Sequence, residues 1–330
     1  MLRPSFAILA PPDEPTTATA LCALIAESAK NLTATVVDTL PEAIGSPADV
    51  LILVLPDYPV ADLEDAFVQR LEGRKVIGIG YAAAELFGRL GLEIRGGACA
   101  HYGAMSMPFK LETNVLLGTT TSGSPFHAVQ SLPQGVQPDN FAMHIPSPSQ
   151  LLAVVDVIAR LASDMNYAPI VRQGSYIMMG TVAPAVAWTP EFRDLFRAIA
   201  IALHERPAEP FARAQWDCAR PASYTFMLAT GSSITAPSDK VFYLRFAKPT
   251  TFTATLRHRG SESVMLLFMG EKHREHWTRE DAYAGEDLEI SIDITEGDLR
   301  EIGDWHWMLK VTNFDREHTV ECSLQIAYEE

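Results

Sequence analysis

Over the first two hundred residues, short unbroken apolar runs alternate with stretches of helical spacing. Phe6-Ala7-Ile8-Leu9 is one such run, Thr35-Val36-Val37 a second, 49–55 a third and Lys75-Val76-Ile77-Gly78-Ile79 a fourth. A strand buried on both faces needs side chains that are apolar on both. Between these runs, 16–30 is rich in Ala and Leu at helical spacing, and 60–71 reads as a helix closed by Glu72-Gly73. A further helix over 81–90 follows the fourth run at once. This alternation predicts an α/β unit, a doubly wound parallel sheet covered by helices. The regularity breaks over 96–140, which is rich in Gly, Ser and Thr. A stretch of that length is either functional or contains short strands of its own. Strands are expected at 151–158 and 170–179, the second carrying a turn at Gln173-Gly174-Ser175. Thr189 is placed to cap a helix that has Pro190 at its first position and runs to about His204.

Beyond Pro210 the period becomes two. Runs at 223–228, 241–246, 251–257, 264–269, 288–294, 307–312 and 319–328 are separated by turn residues such as Arg259-Gly260-Ser261 and Asn313-Phe314-Asp315. Seven short strands without helices predict an all-β antiparallel sandwich. The expected organisation is an α/β domain over 1–205, a linker over 206–212 and a β-sandwich over 213–330.

Composition narrows the partners. The chain has 330 residues, 48% of them hydrophobic, so each domain can bury a core. The formal net charge is −15, with −8 in residues 1–210 (13 basic, 21 acidic) and −7 in 211–330 (13 basic, 20 acidic). Neither half carries a basic footprint, which argues against nucleic acid and anionic membrane as partners. There is no signal-peptide pattern and no apolar stretch long enough to span a bilayer, so the expected setting is cytoplasmic. Cys22, Cys99, Cys218 and Cys322 form no Cys-x-x-Cys pair, which argues against structural zinc, and no cofactor is expected. Cys22, in a helical pattern, and Cys322, in a strand pattern, read as small core residues.

Gly78-Ile79-Gly80-Tyr81-Ala82-Ala83-Ala84, at the end of the fourth run, resembles the nucleophile elbow of the class I glutamine amidotransferase superfamily. That family ends a central strand with Gly-x-Cys-x-Gly and turns sharply into a helix, exposing the thiol beside backbone N–H groups. Here Gly80 stands in the cysteine's place and Ala82 in the second glycine's. The family's later His-x-Glu motif corresponds to Ile177-Met178-Met179-Gly180-Thr181-Val182-Ala183-Pro184, which holds neither a His nor an acid. Thr189-Pro190-Glu191-Phe192 is similar to the start of the family's last helix. The segment 167–203 also resembles the trehalose-utilisation-type branch, whose members commonly lack the cysteine. The resemblance covers 1–205 and implies a flavodoxin-like fold without the catalytic triad. In the C-terminal part, Ser223-Tyr224-Thr225-Phe226, Asp304-Trp305-His306-Trp307, Val311-Thr312-Asn313 and Ser323-Leu324-Gln325-Ile326 resemble pre-peptidase C-terminal-like β-sandwiches. That resemblance implies an accessory role in folding, secretion or binding.

Open α/β sheets bind ligands outside the carboxyl ends of their strands. Asp57, Tyr58 and Tyr81 fall there and are the candidate ligand contacts, unless Tyr81 plugs the crevice. Cys99 and His101 alternate on a strand pattern and could share a face. The run from Glu280 to Asp304 holds ten acids and one base, Arg300; it reads as a solvated face or a calcium cluster without EF-hand spacing. His273 and His276 lie near Glu271 and Glu275 in a charged loop. Trp305 and Trp307 are either sandwich core or a sugar-stacking platform. Two functions compete. One is a non-catalytic binding or assembly protein whose sandwich contacts another protein or a second copy. The other is a hydrolase or carbohydrate-processing enzyme of the trehalose-utilisation type with a non-cysteine site. An open polar pocket at Tyr58, Tyr81 and His101 would favour the enzyme, and a filled one the assembly protein.

Overall fold

The four early apolar runs lie side by side in one sheet, the first, third and fourth buried along nearly their whole length and the second half-exposed at its edge. They belong to a computed structural model that describes residues 4–11, 15–28, 31–56, 58–95, 99–102, 108–112, 116–118, 124–130, 140–145, 150–163, 165–181, 183–212, 221–230, 238–246, 248–260, 263–270, 278–281, 287–302 and 307–329. The chain divides into two units, Met1–Ala214 and Gln215–Glu330.

The first unit begins with β1 (Phe6–Leu9), α1 (Pro15–Ser28), β2 (Ala34–Val37), α2 (Leu40–Gly45), β3 (Val50–Val54), α3 (Asp65–Val68), β4 (Lys75–Ile79) and α4 (Tyr81–Arg89). It continues with β5 (Cys99–Tyr102), β6 (Phe109–Leu111), β7 (Asn140–His144), β8 (Asp156–Leu161), β9 (Tyr167–Ala168), β10 (Ile170–Gln173), β11 (Tyr176–Met179) and α5 (Pro190–Glu205). Eight strands form one sheet in the order β2-β1-β3-β4-β11-β10-β8-β6, and β5-β7-β9 form a small second sheet. The contacts from β2 to β11 are parallel, and those from β11 through β10 and β8 to β6 are antiparallel. The expected all-parallel sheet is therefore corrected to a mixed one. The reason is the Gly174-Ser175 turn: so short a connection can join only antiparallel neighbours, and Gly174 takes the positive φ (+58°) it needs.

On one face Phe6, Ile8, Ile52, Ile77 and Ile177 share a core with Leu21 and Ile25 of α1 and Phe192, Phe196 and Ile199 of α5. On the other, α4 lies so close to β4 that a Cβ on Gly78 would sit 2.8 Å from Phe87 Cζ and 2.9 Å from Ala83 Cβ. The first glycine of Gly-x-Gly is thus a packing residue. Thr189 caps α5 as expected, accepting from Phe192 N at 3.2 Å.

Other expectations shift. The helix expected over 60–71 is broken into a 3-10 turn at Val60–Asp62, α3, and a 3-10 turn at Gln69–Leu71, because Leu63 and Glu64 are extended. The strand expected over 151–158 is a 3-10 helix at Gln150–Ala153 followed by β8. The irregular 96–140 region contains β5 and β6. The segment expected as linker lies along the β10–β11 hairpin. Glu209 N donates to Ser175 Oγ (2.7 Å), Gln173 Nε2 donates to Ala212 O (2.6 Å), Arg172 pairs with Glu209, and the Phe211 ring meets Tyr176 edge-on.

The second unit contains β12 (Ala222–Leu228), β13 (Ser238–Leu244), β14 (Thr250–Arg259), β15 (Val264–Gly270), β16 (Thr278–Asp281), β17 (Leu288–Ile294), α6 (Glu296–Ile302), β18 (Trp307–Asn313) and β19 (Val320–Glu329). Two antiparallel sheets, β12-β19-β14-β17 and β13-β18-β15-β16, share one core in which Phe252 stacks on Phe268 (4.7 Å) and Phe268 on Trp307 (5.1 Å). Trp307 is therefore core; Trp305 lies outside the described residues. Among the described residues eight strands form, not seven, and one helix lies inside the acidic run. Thr295 and Asp298 explain that helix by capping it reciprocally: Thr295 N donates to Asp298 Oδ2 (2.8 Å) and Asp298 N to Thr295 Oγ1 (3.2 Å).

Candidate functional site

The carboxyl edge of the parallel strands is where the sequence places its candidates. Two hydrogen bonds extend the ladder past the strand ends there: Leu55 N donates to Ile79 O (2.7 Å) and Gly80 N to Met179 O (3.1 Å). Gly80 is held between them at φ +104° and ψ 162°, a region essentially restricted to glycine. A Cβ there would meet the Leu55 carbonyl oxygen, stand 2.6 Å from the carbonyl carbon and 2.7 Å from Pro56 N. No side chain of any kind fits.

The second motif position closes in the same way. Gly180 N donates to Pro169 O (2.8 Å), and Phe141 N donates to Gly180 O (3.0 Å). A Cβ on Gly180 would run into the Phe141 carbonyl, 2.8 Å from its carbon. β7 thus crosses the strand edge directly against Gly180. Phe141 is fully buried and meets the half-buried Tyr81 ring edge-on at 5.7 Å.

The remaining candidates are distributed around this closure. Tyr58 is half-buried past the end of β3, and Val60 N donates to its carbonyl (2.7 Å). His101 stands opposite Phe141, and Cys99 opposite Met143, in the β5–β7 register. The edge therefore gathers Tyr81, Phe141 and the backbone position of His101. Asp57 lies outside the described residues, as do His273, His276, Glu271 and Glu275. Sequence reasoning missed Phe141 and Thr181. Thr181 is 1% exposed, and its hydroxyl has no hydrogen-bond partner. The apolar run around Phe141 was the available signal for the first; nothing in the pattern marked the second.

Two cavities formed by described residues lie away from the elbow. One, of about 430 Å³, lies between α1 and α5 and is lined by Ala20, Ala23, Glu27, Val186, Arg193 and Arg197 among others. The other, of about 470 Å³, is on the second unit. Titratable groups displaced from their ordinary range also stand elsewhere. Burial pushes Tyr176, at the amino end of β11, up to about 12, while its hydroxyl donates to Leu71 O (2.8 Å). Burial lowers Lys75 against the opposing pull of Asp49, and Lys75 Nζ donates to His204 O (2.8 Å). No group of three or more His, Cys, Asp or Glu among the described residues could hold a metal ion. No described helix is long and apolar enough to cross a membrane.

These features define a class: a two-unit protein with a mixed-sheet α/β unit and a unit of paired antiparallel sheets. No family model matches the chain, and no curated protein matches it in sequence. Among solved structures it is similar to the pre-peptidase C-terminal domain of collagenase from Bacillus anthracis, at 11% identity over 32% of this chain and 89% of that one (TM-score 0.25). It is also similar to the capsular polysaccharide assembling protein CapF from Staphylococcus aureus, at 9% identity over 98% and 95% (TM-score 0.19). A two-domain esterase active on acetylated mannans aligns at 10% identity over 100% and 91% (TM-score 0.21). At those scores the likenesses carry no functional argument.

Proposed function

We propose that this chain is a non-catalytic binding or assembly protein whose first unit keeps an amidotransferase-like, flavodoxin-like frame without the chemistry. The observation that carries the reading is Gly80. At the nucleophile position the backbone is in a glycine-only conformation and the Leu55–Pro56 backbone fills the space a thiol would need. The same closure at Gly180 removes the second motif position. An activated nucleophile needs a side chain within reach of a base, and Gly80 supplies no side chain at that position.

In this reading the second unit, pre-peptidase-like in kind, mediates contacts with another protein or a second copy. Its edge strand β12 exposes Met227 (61%) and Tyr224 (41%), and an edge with apolar side chains favours association. A small molecule held at the first unit's carboxyl edge would meet Asp57, Tyr58, Tyr81, Cys99 and His101. The net charge of −15 favours protein or neutral partners over nucleic acid or anionic lipid.

Light scattering behind size exclusion tests the assembly half, and glutamine and activated-ester hydrolysis test the other. The expected results are a mass above that of one 36.2 kDa chain and no rate above buffer. A strictly monomeric species would remove self-association from the reading, and a hydrolysis rate that scales with protein through successive purification steps would overturn its non-catalytic half.

A further inference from the structure

His258, near the end of β14, stands directly opposite Cys322, near the start of β19. Strand alternation turns both inward. Phe252, Ala254, Leu256 and His258 are the buried set on β14, and Val320, Cys322, Leu324 and Ile326 that on β19. Their neighbours Arg257, Arg259 and Glu321 are exposed. His258 is 7% exposed and Cys322 is fully buried. Among the described residues neither imidazole nitrogen has a hydrogen-bond partner, the thiol included. Native interiors seldom leave a buried polar group unpaired, and each case asks for a cause such as a bound ion.

We propose that His258 and Cys322 are the two protein ligands of a buried site for a soft monovalent cation, copper(I). Directly opposed residues place their Cβ atoms roughly 4.5–5.5 Å apart. That separation suits an ion bridging a nitrogen and a sulfur at about 2.0–2.3 Å each. Thiolate and imidazole are the donors that soft copper(I) takes. Charge decides between metals. Binding displaces the thiol proton to solvent, and the resulting thiolate cancels a single positive charge, so the complex enters the apolar core neutral. A divalent ion on the same pair would keep a net positive charge there, which is strongly unfavourable. The small number of donors points the same way, since no third His, Cys, Asp or Glu joins the pair among the described residues. Burial pushes the Cys322 thiol up to about 12, so without metal the sulfur stays protonated and unreactive at neutral pH.

The test uses the full chain with Cys22, Cys99 and Cys218 changed to Ser, titrated anaerobically with copper(I) against a chromogenic chelator. The expected result is one copper(I) per chain with one sulfur and one nitrogen in its X-ray absorption shell. Cys322→Val should abolish binding and His258→Leu should weaken it at least 100-fold. Both replacements are apolar and of similar size, and cooperative melting checks that they fold. One equivalent of copper(I) should also raise the melting temperature of the triple-Ser protein, a readout that needs neither variant. Copper retained by Cys322→Val, a two-sulfur shell, tighter binding of zinc(II) than of copper(I), or an unchanged melting temperature would overturn the site.

Discussion

Gly80→Ala isolates the closure of the elbow, because the methyl group adds no chemistry and only occupies space. Two costs act at that position. The φ of +104° with ψ 162° is a strained conformation for any residue with a Cβ, worth about 1–3 kcal/mol. The added Cβ also stands 2.6 Å from the Leu55 carbonyl carbon and 2.7 Å from Pro56 N. Those are backbone atoms that cannot rotate away, and forcing them apart costs about 1–3 kcal/mol more. The combined destabilisation is about 4 kcal/mol. Gly73 provides the control: its φ is also positive (+72°), yet a Cβ there meets nothing within 4 Å. Gly73→Ala should therefore cost only the left-handed penalty of about 1–2 kcal/mol. At about 2–4 °C per kcal/mol for a unit of this size, Gly80→Ala lowers Tm by about 12 °C and Gly73→Ala by about 4 °C. Calorimetry and urea unfolding of the full chain read the difference. Equal losses in the two variants would refute the steric argument and reopen the elbow to a side chain.

Gln173 is fully buried and accepts from Glu93 N (2.7 Å) and Ile94 N (3.4 Å) while donating to Ala212 O (2.6 Å). Gln173→Leu strands those backbone groups and should cost about 3 kcal/mol in urea unfolding; a loss under about 1 kcal/mol would show that water or relaxation replaces the amide. Tyr176 ionises at about 12 in the fold, against about 10 in the unfolded chain. The unfolded state releases that proton first, so stability is full below about pH 10 and falls between about 10 and 12. Tyr176→Phe should flatten that limb at a neutral-pH cost of about 1 kcal/mol, because Leu71 O keeps its bond from Arg74 N. A pH profile identical to wild type between pH 9 and 12 would remove Tyr176 as its source.

The strands that were legible in the sequence are those whose burial leaves no choice. β1, β3 and β4 are apolar on both faces, and α5 announces its start through Thr189 and Pro190. Strand direction is harder to read, since a buried strand looks the same either way. The two-residue turn at Gly174-Ser175 is the signal in the sequence that β10 and β11 run opposite. Short apolar runs also do not separate helix from strand, which is why the strand expected over 151–158 begins as a 3-10 helix at Gln150–Ala153. α2 had a readable start in Thr39 and Glu42, whose amide donates to the Thr39 hydroxyl at 3.3 Å, but six residues are too few for periodicity to show. At the site, the sequence shows a glycine at position 80, at the end of a buried apolar run. It does not show that Leu55 lies against Gly80 and Phe141 against Gly180, because both contacts join residues far apart in the chain.

The bonds that tie 206–212 to the β10–β11 hairpin bear on where the first unit can be cut free. An excised fragment ending at Glu205 would take Ala212 O from the Gln173 amide nitrogen and Glu209 N from the Ser175 hydroxyl, leave Arg172 without Glu209, and bare the Tyr176 ring to water. One reaching Ala212 keeps all four. The seven residues beyond α5 act as a clasp on the hairpin, so a protease nick among them should loosen the sheet's core, whereas an ordinary tether would be severed without consequence.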